Sequence, residues 1–142
     1  MSSMNITNNV TIELKATRDN FNLFIDFIES GLSKAEINNQ YSSNILLACE
    51  EVIVNIIDYG YSLVQGNITI DFSHIENKIE ITFSDCGIPF NPLELPETDT
   101  KVSLDKRGLG GYGVLIVKKM MDSVLYEYVN GKNRLTIIKN IL

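Results

Sequence analysis

The chain has few cysteines, histidines and prolines, fewer basic than acidic residues, and no long apolar run. Its 142 residues include two cysteines, one histidine and three prolines. Cys49 and Cys86 stand without metal-ligand spacing, so free thiols in a reducing compartment are expected, and no disulfide. The opening MSSMNITNNV lacks a basic residue followed by an apolar stretch, and no later run is long enough to span a bilayer. The expectation is a soluble, cytoplasmic protein with no membrane partner. Twelve Lys and Arg against eighteen Asp and Glu leave a net charge of −6, which opposes direct binding to nucleic acid or an anionic membrane. Repeats, linkers and low-complexity segments are also missing. Residues 1–142 therefore read as a single domain, long enough to bury a core without disulfides or metals.

What is present is organised around a helix-forming run, Ile45 to Tyr59 (ILLACEEVIVNIIDY). Up to Ile57 its only polar residues are Glu50, Glu51 and Asn55, so most of its sides should be buried. Glu51 and Asn55 are four residues apart and share a face. A carboxylate buried without partners costs several kcal/mol, so something polar must meet that face. Either the protein's own groups or a ligand would serve.

Along the chain, Val10–Leu14 alternates as a strand. Thr17 is placed to cap a helix carrying Phe21, Phe24, Ile25 and Ile28, which Gly31 should stop. Ser33 to Glu36 forms a capping-box pattern that would open the next helical stretch, ending near Gly60. Ile68, Ile70 and Phe72, then Ile79, Ile81 and Phe83, mark two antiparallel strands joined near Glu76 and Asn77, with His74 at the hairpin's tip or edge and expected to face solvent. An irregular segment from Ser84 to Arg107 holds all three prolines. A glycine cluster then feeds a helix from about Val114 to Met121. Val124–Tyr128 and Leu135–Lys139 flank the turn signal Asn130-Gly131. The resulting order, β-α-α-β-β-loop-α-β-β, predicts an α+β two-layer sandwich, mostly antiparallel, with helices on one face.

The glycine cluster Gly108, Gly110, Gly111 and Gly113 satisfies G-x-G-x-x-G, but polar loop rather than a strand precedes it, against a Rossmann site. No Gly-Lys-Ser/Thr follows, and the His-Arg-Asp and Asp-Phe-Gly signatures of ordinary protein kinases are missing. A glycine-rich turn opening into a helix still favours phosphate at the helix N-terminus. Lys101, Lys106, Arg107, Lys118 and Lys119 add local positive charge; alternatively, the glycines simply end one element and the bases solvate a loop. Asp85 at a strand end, with Gly87 permitting close backbone approach, is suited to accept from an exocyclic amine such as that of adenine. Asn55 supplies a neutral oxygen of the kind Mg²⁺ takes alongside waters and phosphates. Glu51, one turn earlier, is placed to orient or deprotonate a hydroxyl or water.

Together these residues resemble a known pattern. Glu51-x-x-x-Asn55 resembles the N box, Asp85-x-Gly87-Ile-Pro-Phe90 the first glycine box and Gly110-Gly111-Tyr-Gly113 the second, of the GHKL (Bergerat-fold) ATPases. The phrases Pro89-Phe90-Asn91-Pro92-Leu93, Lys119-Met-Met-Asp122 and Asn133-Arg-Leu-Thr136 are similar to those of stand-alone bacterial anti-sigma-factor kinases of the RsbW and SpoIIAB type. The resemblance runs from about Val10 to the C-terminus. It implies an ATP- and Mg²⁺-binding serine/threonine kinase, often a homodimer. Such proteins phosphorylate a STAS-type anti-anti-sigma protein and bind a sigma factor in alternation. A non-catalytic ATP-binding module that sequesters its partner is the alternative. Glu51 would be the general base, Asn55 the magnesium ligand and Asp85 the adenine contact. Gly87, Arg107, Gly108, Gly110, Gly111 and Gly113 would complete the nucleotide site, under a lid from Leu93 to Arg107. Tyr59, Cys86 and Asn91 depart from the usual occupants of their positions, and with His74 lying within the ATP-binding domain itself, autophosphorylation on histidine is not expected.

Overall fold

The computed structural model describes residues 6–61, 65–94 and 110–141. Five strands form one sheet, entirely antiparallel, in the order β1-β2-β3-β5-β4: β1 Ile6–Lys15, β2 Asn67–Ile75, β3 Lys78–Asp85, β4 Ser123–Val129 and β5 Lys132–Asn140. Helices α1 (Phe21–Ala35), α2 (Asn39–Asn55) and α3 (Gly110–Met120) accompany it, and the two-layer α+β arrangement expected from the sequence is the one observed.

Period-two alternation explains the layering, because successive strand side chains point to opposite faces. Ile68, Ile70 and Phe72 of β2, Ile79, Ile81 and Phe83 of β3, and Leu135 and Ile137 of β5 are buried. They join Phe24 and Ile28 of α1, Ile45, Cys49, Val52 and Ile53 of α2, and Val117 of α3 in one core. The intervening residues carry hydroxyls and charges, and Thr82 and Thr136 face each other across β3 and β5 with 2.9 Å between their Oγ1 atoms. No helix among the described residues is long and apolar enough to cross a membrane.

Several local expectations are corrected. Gly31 does not stop α1; it lies inside the helix, buried, where an added Cβ would sit 2.8 Å from the Phe72 ring. Its missing side chain lets α1 approach β2. Ser33-to-Glu36 is not a capping box: Ser33 lies within α1, and Glu36 ends that helix in the left-handed region at φ 53°. The cap of α2 is Asn38, whose Oδ1 accepts from the Gln40 N–H at 2.6 Å. Thr17 precedes a 3₁₀ turn, Arg18–Asn20, in extended conformation and makes no side-chain cap. β1 is longer than Val10–Leu14. α3 starts at Gly110 rather than Val114, so three of the glycines form its first turn. His74 is half-buried, because its strand places it on the inner face with Phe72. Both turns match: Glu76 sits at φ 50°, and Asn130 and Gly131 at φ 55° and 76° give the doubly left-handed hairpin turn.

Candidate functional site

α2 delivers Glu51 and Asn55 to the surface where α3 begins. Both residues are less than a tenth exposed, and a Cβ on Gly113 would lie 2.9 Å from Glu51 Oε1 and 3.4 Å from Asn55 Nδ2. Glycine is therefore what allows the first turn of α3 to lie on this polar face. Glu51 Oε1 is buried and has no hydrogen-bond partner among the described residues. Burial, and secondarily the neighbouring Glu50 carboxylate, raise the Glu51 pKa above the usual carboxylate range. Immediately after Asn55 the helix widens into a π turn, Ile56–Gly60, a distortion often found at functional sites.

Asp85 ends β3 on the inner face because it continues the alternation of Ile79, Ile81 and Phe83. The chain then turns out of the sheet, and Gly87 N–H donates back to Asp85 Oδ1 at 2.9 Å. Asn133, paired with Asp85 in the β3–β5 register, donates from Nδ2 to the same oxygen at 3.0 Å. Burial raises the Asp85 pKa, and the two donated hydrogen bonds act against that rise. Tyr61 holds the turn from the other side: its hydroxyl accepts from Cys86 N–H at 2.6 Å and donates to Asn67 O at 2.9 Å. The exit of α2 is thus tied to the end of β3.

Between these groups lies a cavity of about 580 Å³, open mouth included. Val52, Asn55 and Ile56 of α2, Phe83 and Asp85 of β3, Val114 and Val117 of α3, and Val124, Tyr126, Asn133 and Leu135 of β4 and β5 line it. Ile88, Phe90, Pro92 and Leu93 complete the lining, with Ile88 half exposed. An apolar chamber with a few polar groups at its wall is the usual form of a small-molecule site.

The structure thus brings Asn55 and Asp85 into the wall of one cavity, with Glu51 and Gly113 packed beside Asn55, Gly87 in the Asp85 turn, and Gly110 and Gly111 in the first turn of α3. Arg107 and Gly108, together with Lys101, Lys106 and the lid beyond residue 94, lie outside the described residues. Lys118 and Lys119 do not join the glycine turn. They are exposed in the last turn of α3, at its far end, where positive charge complements the helix dipole. Asn133 and Tyr61 were not among the residues singled out as functional. The signal for Asn133 was a polar residue at an inward position of the alternating set Asn133, Leu135, Ile137.

Comparison with known proteins identifies the family and its relatives. The sequence model of the family described as "Histidine kinase-like ATPase domain" matches residues 14–139. The chain is 24% identical over 127 residues to the serine-protein kinase RsbW of Listeria monocytogenes, covering 86% of this chain and 81% of that protein. It is 27% identical over 89 residues to the serine-protein kinase RsbW of Bacillus mycoides, covering 60% and 56%. Among solved structures it is similar to the RsbU and RsbW domains of Rv1364c from Mycobacterium tuberculosis, with a TM-score of 0.68 and 14% identity. That match covers 95% of this chain and 33% of the other, and at this identity it shows a shared fold.

Proposed function

Since the chain belongs to the histidine kinase-like ATPase domain family, we propose that it is an ATP-dependent serine/threonine protein kinase acting as an anti-sigma factor. Its substrate is a serine or threonine hydroxyl of a STAS-type anti-anti-sigma protein, a sigma factor is its other partner, and it works as a homodimer. The observation that carries the reading is Glu51 Oε1: a buried carboxylate oxygen, unpartnered among the described residues, against the glycine turn of α3 and beside Asn55, which shares a cavity wall with Asp85. The relatives named serine-protein kinase support the reaction class.

The residues fit Mg-ATP. The apolar cavity takes the base, and the Asp85 carboxylate accepts from the 6-amino group. The first turn of α3, whose backbone N–H groups have no intrahelical acceptor and lie at the positive dipole end, favours the phosphates. Gly113 leaves that turn without a side chain that would fill the space beside Glu51 and Asn55. Asn55 would hold Mg²⁺ through its carboxamide oxygen, and the bound ion would neutralise phosphate charge. Glu51 accepts the proton of the attacking hydroxyl while that oxygen bonds to the γ-phosphorus and ADP leaves with the bridging oxygen. Its raised pKa makes it a stronger base than a solvated glutamate.

The test is transfer of the γ-phosphate from labelled ATP to a purified STAS-domain protein. The wild-type chain is expected to label serine or threonine, and Glu51→Gln to do so about 10²–10⁴-fold more slowly. Full activity in Glu51→Gln would remove the base assignment. Nucleotide and partner binding without transfer by the wild type would favour a non-catalytic ATP-binding module that sequesters a sigma factor.

A further inference from the structure

Asn133 is less than a tenth exposed, and every hydrogen-bonding position of its carboxamide is used within the protein. Nδ2 donates to Asp85 Oδ1 at 3.0 Å and to Ile88 O at 2.9 Å. Oδ1 accepts from Phe90 N–H at 3.0 Å and from the Tyr126 hydroxyl. A carboxylate and a carbonyl can only accept and a backbone N–H can only donate, so these partners fix which end of the amide is which. With two donors and two acceptors engaged, Asn133 has nothing left for a ligand. It connects β5, the end of β3, the turn from Asp85 to Phe90, and β4.

The consequence falls on Asp85. Oδ1 already receives two hydrogen bonds, from Gly87 N–H and Asn133 Nδ2. Oδ2 receives none among the described residues, and Asp85 lines the cavity. The carboxylate is held by one oxygen and left with one acceptor for whatever enters. A neutral residue without a donor at position 133 would let the carboxylate turn, and would leave Ile88 O and Phe90 N–H unpaired at the cavity mouth.

We propose that Asn133 is a positioning residue that sets selectivity for a 6-amino purine by presenting a single, fixed Asp85 oxygen to the base. The inference rests on the nucleotide reading of the site. A 6-amino group donates to that oxygen. A 6-oxo group places oxygen against oxygen, and a loosely held Asp85 discriminates between the two less well.

The experiment compares equilibrium binding of ATP and inosine triphosphate, which differ in that group, to the full chain and to Asn133→Asp and Tyr126→Phe. The wild type is expected to favour ATP by about tenfold or more, the discrimination one well-made hydrogen bond gives. Asn133→Asp keeps the size and the acceptor end but replaces the donor facing Asp85. It should lose ATP affinity by about tenfold while inosine triphosphate binding changes by less than about threefold, so that the preference collapses. Tyr126→Phe keeps the carboxamide and removes one anchor, so the preference should fall by about threefold, and this variant decides the matter if Asn133→Asp does not fold. Equal losses for both nucleotides, or an unchanged preference, would overturn the proposal. A wild-type chain that binds ATP and inosine triphosphate equally would overturn it and leave the nucleotide site standing, whereas one that binds neither would overturn the nucleotide reading itself.

Discussion

Glu51 is where burial turns into a pH dependence. Desolvation raises its pKa first and the Glu50 charge adds to it, so the folded chain holds this proton to higher pH than the unfolded chain does. The stability contributed by the protonated form is fully present below the unfolded carboxylate pKa and is lost as pH rises through the raised folded value. A base must be ionised to act, so the phosphate-transfer rate should climb over the same interval in which that stability falls. Glu50→Gln removes the second cause, and the acid limb of the rate profile should move to lower pH. Glu51→Gln should flatten that part of the curve of melting temperature against pH. A rate profile unmoved by Glu50→Gln would mean that another group controls the limb. Glu51, Asn55 and Asp85 were legible in the sequence because a charged or amide residue inside an apolar helix, or at the inner end of a strand, contradicts its surroundings. Asn133 carries the same contradiction, but its importance appears only when β5 is set beside β3, a pairing between residues 48 positions apart.

At the scale of elements, Gly31 and Gly113 both permit close approach, with different consequences. In α1, Gly31 lies against the Phe72 ring, and Gly31→Ala would drive a methyl to within 2.8 Å of it. The expected cost is about 1–3 kcal/mol of stability by denaturant titration, the usual range for overpacking a core. In α3, Gly113→Ala places its methyl 2.9 Å from Glu51 Oε1, in the space assigned to nucleotide. That variant should lose ATP affinity by more than its stability loss explains. If Gly113→Ala binds ATP normally, the glycine turn is not part of the site. The same positions show where local pattern misleads. Gly31 resembled a helix stop and Ser33-to-Glu36 a helix start, yet α1 runs past Gly31 and Ser33 and ends only at Glu36, because its apolar face, with Phe24, Ile28 and Leu32, is buried in the core. Tertiary burial outweighed the roughly 1 kcal/mol that glycine costs inside a helix.

For the molecule as a whole, the order of elements was readable because each strand repeats every second residue and each helix buries one stripe. The sheet order was not, since placing β5 between β3 and β4 depends on contacts between distant segments. That placement sets Asn133 beside Asp85, while α3 packs on α2, so that residues from three separate stretches meet at one cavity. The central claim is that these stretches share one ligand. Calorimetric titration of the intact chain with Mg-ATP, beside Asp85→Asn, tests it most directly. One nucleotide per chain is expected to bind the wild type, with affinity reduced about tenfold or more in Asp85→Asn, where an amide replaces the accepting oxygen pair. Absence of binding to the wild type, or equal affinity in the two proteins, would contradict it.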